Sequence, residues 1–149
     1  MARLGGSASA EINAPLAEVW ALVEDVITAP DWQGGLDRMT ALEHDAYGRP
    51  TLVETENDVM VRRIKACVRF HYEAPTRLSW TQERGDLKSV DGAWELEDLG
   101  NGRTRATYRL DADLGRVLGL LMRGPADAAM RAIFVNGRSG ELKRRIEGG

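Results

Sequence analysis

One cysteine in 149 residues, Cys67, rules out an intrachain disulfide, and a cysteine-based metal site would have to find its other ligands elsewhere. Histidine is almost as scarce. His44 and His71 fall in different segments, and no metal site is expected. No apolar run is long enough to cross a bilayer as a helix, and residues 1–7 lack the apolar core of a secretion signal. The expected location is the cytoplasm. An excess of one charge is missing too: 20 Lys and Arg face 23 Asp and Glu, for a net charge of −3. The basic cluster Lys143-Arg144-Arg145 stands where cations complement the end of a C-terminal helix. Such a balance gives no electrostatic reason to bind nucleic acid. No motif for a nucleotide or flavin is present, so no cofactor is expected.

What the chain does have is patterned hydrophobicity. Its length fits one domain, residues 1–149, with a substantial core. Residues 7–13 alternate and read as a strand. Pro15 opens a helix, a position whose N–H would have no partner anyway, and Val19, Leu22, Val23 and Val26 recur at spacings of three and four. That helix should stop near Thr28, because Pro30 disfavours helix in the residue before it. Strands are expected at 39–44, 51–56, 59–72, 77–83, 88–96 and 103–110. Asn57-Asp58 and Gly100-Asn101-Gly102 supply hairpin turns.

The longest alternation puts Met60, Arg62, Ile64, Ala66, Val68, Phe70 and Tyr72 on one face. Val61, Arg63, Lys65, Cys67, Arg69 and His71 share the other, which is mostly charged and should meet solvent. From Leu114 the period becomes helical, interrupted by Gly115 and Gly119, and residues 126–146 read as a long helix with Met130, Ile133 and Phe134 as its apolar stripe. Gly137 and Gly140 within it permit close approach or mark a bend. The order predicts an α+β fold. A curved antiparallel sheet wraps around a long C-terminal helix and leaves an internal cavity.

Local phrases carry a resemblance across nearly the whole chain. They are Ile12-Asn-Ala-Pro15 with Val19-Trp20, then Asp31-Trp32, Gly48-Arg-Pro50, Gly92-Ala-Trp94-Glu-Leu96, Gly102-Arg-Thr-Arg-Ala-Thr-Tyr108 and Gly140-Glu-Leu-Lys-Arg-Arg-Ile-Glu147. In this order they resemble the START-like (helix-grip, SRPBCC) superfamily, in its polyketide cyclase/dehydrase branch. The resemblance implies the helix-grip fold. The superfamily includes aromatase/cyclases, lipid and quinone binders and hormone receptors. Its aromatase/cyclases carry tryptophan, serine and arginine facing the cavity from the long central strand. Here that inward row is Ile64, Ala66, Val68 and Phe70, and a register slip of two residues leaves the strand face unchanged. Cyclising a poly-β-ketone needs donors that polarise carbonyls and groups that move protons, and this row supplies neither.

The candidate cavity-lining residues follow from the faces. To the apolar row are added the aromatic side chains Trp80, Trp94 and Tyr108, and Met130 and Phe134 from the helix. Each lines a pocket or packs as ordinary core. Trp32 guards an entrance or covers an end of the core, while Trp20 reads as core. Thr55 and Gln82 are inward polar residues that need a bonding partner in a neighbour, a water or a ligand. Arg62, near the start of its strand, pairs with an acidic headgroup or reaches out to solvent. Residues 114–122 form a mobile flap or a short core helix; as a flap they could touch a membrane surface through Leu114, Leu118 and Leu121.

Three functions compete. One is carriage or sensing of a small hydrophobic ligand, such as a lipid, quinone or polyketide-like aromatic. Another is a polyketide cyclase or dehydratase using Arg62, Gln82, Tyr108 or Trp80 as donors. The third is an accessory or dimerising domain with a closed cavity, favoured if the void falls below roughly 300 Å³. The absent polar row tilts the reading toward binding. Catalytic residues and oligomeric state are not assigned.

Overall fold

A computed structural model describes residues 3–59, 62–121 and 124–148. Seven strands form one curved antiparallel sheet whose edges do not meet. They are β1 (Arg3–Ile12), β2 (Leu36–His44), β3 (Pro50–Asp58), β4 (Arg63–Glu73), β5 (Arg77–Gly85), β6 (Ser89–Gly100) and β7 (Arg103–Asp113). The order β1-β7-β6-β5-β4-β3-β2 is a meander from β2 to β7, with β1 returned to pair with β7. Between the two edge strands the chain runs through α1 (Leu16–Glu24) and a 3₁₀ turn (Val26–Asp31). After β7 come α2 (Gly115–Leu121), α3 (Pro125–Arg131), a π-helical turn (Ala132–Asn136) and α4 (Arg138–Glu147).

The period of two governs the sheet. Ile64, Ala66, Val68 and Phe70 of β4, with Trp94 and Leu96 of β6 and Ala106 and Tyr108 of β7, are buried on the inner face. There they meet Val19, Trp20 and Val23 of α1 and Leu142 of α4. The outer face carries ion pairs between neighbouring strands, including Arg69–Glu83 at 2.7 Å, Arg105–Glu97 at 2.7 Å, Arg103–Glu11 at 2.7 Å and Arg109–Glu95. Cys67 departs from this face by being buried. The turn Gly100-Asn101-Gly102 forms as expected, all three residues having positive φ (81°, 56° and 71°).

Two elements differ from the sequence expectation. Beyond β3 the Val59 N–H donates to the Arg62 carbonyl at 3.0 Å, so the connection to β4 lies after Asp58 and not at Asn57-Asp58. Strand β3 continues through Asn57-Asp58 because the Asp58 N–H donates to the Gly35 carbonyl at 2.8 Å and Asn57 pairs with Leu36. Arg62 therefore stands exposed in the turn, ahead of β4, and not on its inward row. Met60 and Val61 lie outside the described residues, as does Met122 of the helical stretch.

The long C-terminal helix is the second difference, since a π turn breaks it. There the Gly137 N–H donates to the Ala132 carbonyl at 2.9 Å, five residues back. Gly137 is required: a Cβ there would sit 2.7 Å from the Ala132 oxygen. Gly140, by contrast, has its nearest neighbour at 3.4 Å, the far end of the Arg144 side chain. The helical segment is tied to β1 by Arg131 donating to the Gly5 carbonyl at 2.6 Å and Lys143 to the Glu11 carbonyl at 2.7 Å.

The glycines predict opposite outcomes. Gly137→Ala should cost about 1–3 kcal/mol as an overpacked substitution, whereas Gly140→Ala should be neutral or gain up to about 1 kcal/mol in helix propensity. Denaturant unfolding of the two variants distinguishes them, and equal effects would contradict this account of the π turn.

The ion pairs predict acid lability. Pairing with Arg69 holds the Glu83 carboxyl below its ordinary range, Arg109 does so for Glu95, and Lys143 for Glu147. Each titrates lower folded than unfolded, so its stabilisation is complete above the unfolded glutamate value of about 4.3. That stabilisation disappears as pH falls through the folded value. The thermal midpoint should hold from neutral pH down to about 5 and decline below about 4. A midpoint that stays level into that acid range would show that these pairs do not stabilise the fold.

Candidate ligand-binding cavity

Between the inner face of the sheet and the helices lies a cavity of about 150 Å³. Its floor is the β4 row Ile64, Ala66, Val68 and Phe70, joined by Leu78 and Trp80 of β5 and by Trp94 and Tyr108 of β6 and β7. Met130, Phe134 and Arg138 form the helical wall. Trp32 lines it from the segment after the 3₁₀ turn, and Thr55 from β3. Gln33, Leu36, Asn57, Leu87 and Val90 are among its partly exposed lining residues.

The rings form a continuous chain. Trp32 and Trp94 have centroids 6.2 Å apart, Trp94 and Tyr108 meet edge to face at 4.8 Å, and Trp80 lies 5.6 Å from Tyr108 and 5.7 Å from Phe70. Gly92 makes room for Trp80, since a Cβ there would come within 2.4 Å of the indole. Thr55 and Gln82, polar side chains expected in the cavity, each donate to a backbone carbonyl, while Gln82 Oε1 is buried without a partner among the described residues. Thr55 Oγ1 donates to the Ala66 carbonyl at 3.4 Å. Gln82 stays opposite Val68 on the inward row, but its Nε2 donates to the Leu87 carbonyl at 2.8 Å and it does not line the cavity. Arg62 does not line it either, because the turn carries it outward. Trp20 is core, donating from Nε1 to Glu24 Oε2 at 3.1 Å.

At α2, Leu114 and Leu118 are buried and line the cavity, the placement of the short-core-helix alternative, while Val117 and Leu120 are 70% and 57% exposed. The side chain of Leu121 lies outside the described residues. The helix begins with Asp113 Oδ1 accepting the Gly115 N–H at 3.0 Å, which helps to aim Leu118 inward.

Arg138 is the residue that sequence reasoning missed. It is only 2% exposed. Its Nη1 donates to Glu141 Oε1 at 2.9 Å and to the Gly34 carbonyl at 2.7 Å, and Glu141 Oε2 accepts the Gly34 N–H at 2.7 Å. Guanidinium and carboxylate thus clamp one glycine of the Trp32 segment to the C-terminal helix. The guanidinium also lies 5.2 Å from the Phe134 ring centroid. A signal for it existed: Met130, Phe134, Arg138 and Leu142 recur every four residues, an arginine within a buried stripe.

A family model described as polyketide cyclase/dehydrase and lipid transport matches residues 5–147. The chain belongs to that family. Among solved structures, a START superfamily protein from Mycobacterium smegmatis is similar at 17% identity, TM-score 0.81, over 97% of each chain. A protein from Thermus thermophilus gives 18% identity and TM-score 0.79, again over 97% of each. The aromatase/cyclase Zhui from a Streptomyces species gives 17% identity and TM-score 0.66, over 98% of this chain and 83% of the other. At these identities the likeness shows the fold. No curated protein matches the sequence.

The charge in the cavity comes from the helix opposite β4. Substituting it tests the clamp. Arg138→Met keeps the length of the stem but leaves Glu141 and the Gly34 carbonyl without their donor. Breaking a buried pair in this way costs about 3–5 kcal/mol. We expect the upper half of that penalty to be relieved where Glu141 reaches water, so a loss of about 3 kcal/mol in equilibrium unfolding is the expected result. A loss under about 1 kcal/mol, typical of a surface pair, would contradict the clamp.

Proposed function

We propose that this protein binds a small hydrophobic molecule in the cavity between sheet and helix, as a carrier or sensor and not as a catalyst. The observation that carries this reading is the chemistry of the walls. Among the described lining residues there is no carboxylate, histidine, serine, cysteine or lysine; the hydroxyls present are Thr55, which donates to the Ala66 carbonyl, and Tyr108, whose pKa burial raises. Apolar and aromatic side chains dominate, and burial of a ligand against them is the available source of affinity.

Size narrows the ligand. At about 150 Å³ the void matches an apolar cavity that admits a single benzene-sized ring. A lipid chain or a fused polycyclic compound would need Trp32 or Leu118 to move. The same volume falls below the roughly 300 Å³ at which ordinary ligand pockets begin. It therefore favours a second reading, an accessory domain whose cavity is a packing remnant.

Native mass spectrometry of gently purified protein, before and after incubation with small aromatic and lipid libraries, separates the two. Binding predicts a discrete added mass that organic extraction releases and that Ala66→Phe, which fills the floor, abolishes while the fold persists. An unmodified mass under all conditions would remove the binding reading in favour of the accessory one.

A further inference from the structure

The cavity has one polar end, and its hydrogen bonds are incomplete. Tyr108 and Arg138 both line it, with the guanidinium near enough to the phenol to favour its ionised form. A guanidinium only donates, so it cannot accept the phenol's proton. The Tyr108 O–H proton is left to donate elsewhere, and no protein acceptor for it is found among the described residues. Burial pushes the Tyr108 phenol up from its ordinary pKa, more than Arg138 pulls it down, and so keeps that proton in place. Nearby, the Trp32 Nε1–H and the Arg138 Nε–H are buried with no hydrogen-bond partner. Trp32 belongs to the segment that Arg138 grips through Gly34. Buried donors without acceptors are rare and costly. A surplus of donors calls for a ligand that brings an acceptor.

The charge balance selects which acceptor. Glu141, 2.9 Å from Arg138, already neutralises the guanidinium. An anionic ligand would have to shed its water and approach that carboxylate, with no free cation to repay the loss. A neutral oxygen carries no such penalty. The ring chain Trp32–Trp94–Tyr108–Trp80 offers faces and edges to a flat molecule.

We propose that Tyr108 and Arg138 form an acceptor-reading end of the cavity, and that the ligand is a neutral, planar ring compound bearing a carbonyl oxygen. Tyr108 donates to that oxygen while Arg138, held by Glu141, polarises the phenol. This rests on the ligand-binding reading above.

A pair of shape-matched probes tests it: acetophenone, and α-methylstyrene, in which a methylene replaces the oxygen. Dissociation constants are measured calorimetrically for the native protein and for Tyr108→Phe, which keeps the ring and loses only the hydroxyl. The expected result is that the substitution weakens acetophenone about tenfold, the worth of one hydrogen bond, and leaves α-methylstyrene unchanged. Equal effects on both probes, or none on either, would overturn the assignment of Tyr108 while leaving the cavity a binding site. Benzoate binding the native protein more tightly than acetophenone would overturn the neutral class. If neither neutral probe binds, this inference fails, while the ligand-binding reading stands or falls on the mass-spectrometric screen.

Discussion

One helix cannot cover a seven-stranded sheet. Strands about 4.8 Å apart make such a sheet nearly 29 Å across, whereas a helix with its side chains is about 10 Å wide. The inner face here is apolar from β3 to β7 and must be shielded from water. The sheet curves, α1 and the 3₁₀ turn close one flank, α2 closes another, and the C-terminal helical segment fills the middle. The cavity is the part of that face which nothing covers completely.

How the gap is bounded depends on a few close approaches. Gly35, at φ +76°, brings its backbone against Phe134, where a Cβ would lie 2.6 Å from the ring. Gly137 permits the π turn between Phe134 and Arg138. The buried guanidinium then finds its partners in Glu141 and Gly34, and the same contacts hold the Trp32 segment over the cavity. A single charged residue thereby serves packing and the polarity of the site together. That coupling is why a change at Arg138 would be read first in stability, and why the Tyr108 hydroxyl is the cleaner probe of recognition.

The strand faces were legible because alternation is a local property. Ile64, Ala66, Val68 and Phe70 were assigned inward on period alone, and so were Trp94 and Tyr108. Boundaries were less legible. Asn57-Asp58 has turn composition, yet a carbonyl from Gly35 and pairing with Leu36 keep it in β3. That displacement moved Arg62 from a strand face to an exposed turn. Gln82 had the right face, and a neighbour, the backbone of Leu87, takes its amide. Leu114 and Leu118 fitted a flap or a core helix equally, because the sequence gives no direction for a seven-residue helix.

From sequence alone came the α+β class, the helix-grip resemblance and the apolar character of the β4 wall. Each depends on residues a few positions apart, or on phrases in a fixed order. Tertiary structure decided the polar end of the cavity, because Arg138 meets Gly34 across 104 positions of chain. It also decided the cavity's volume, which is a small difference between the span of a sheet and the bulk of everything folded against it. Period and propensity describe neighbours along the chain, and they carry no term for groups that only folding brings within 3 Å.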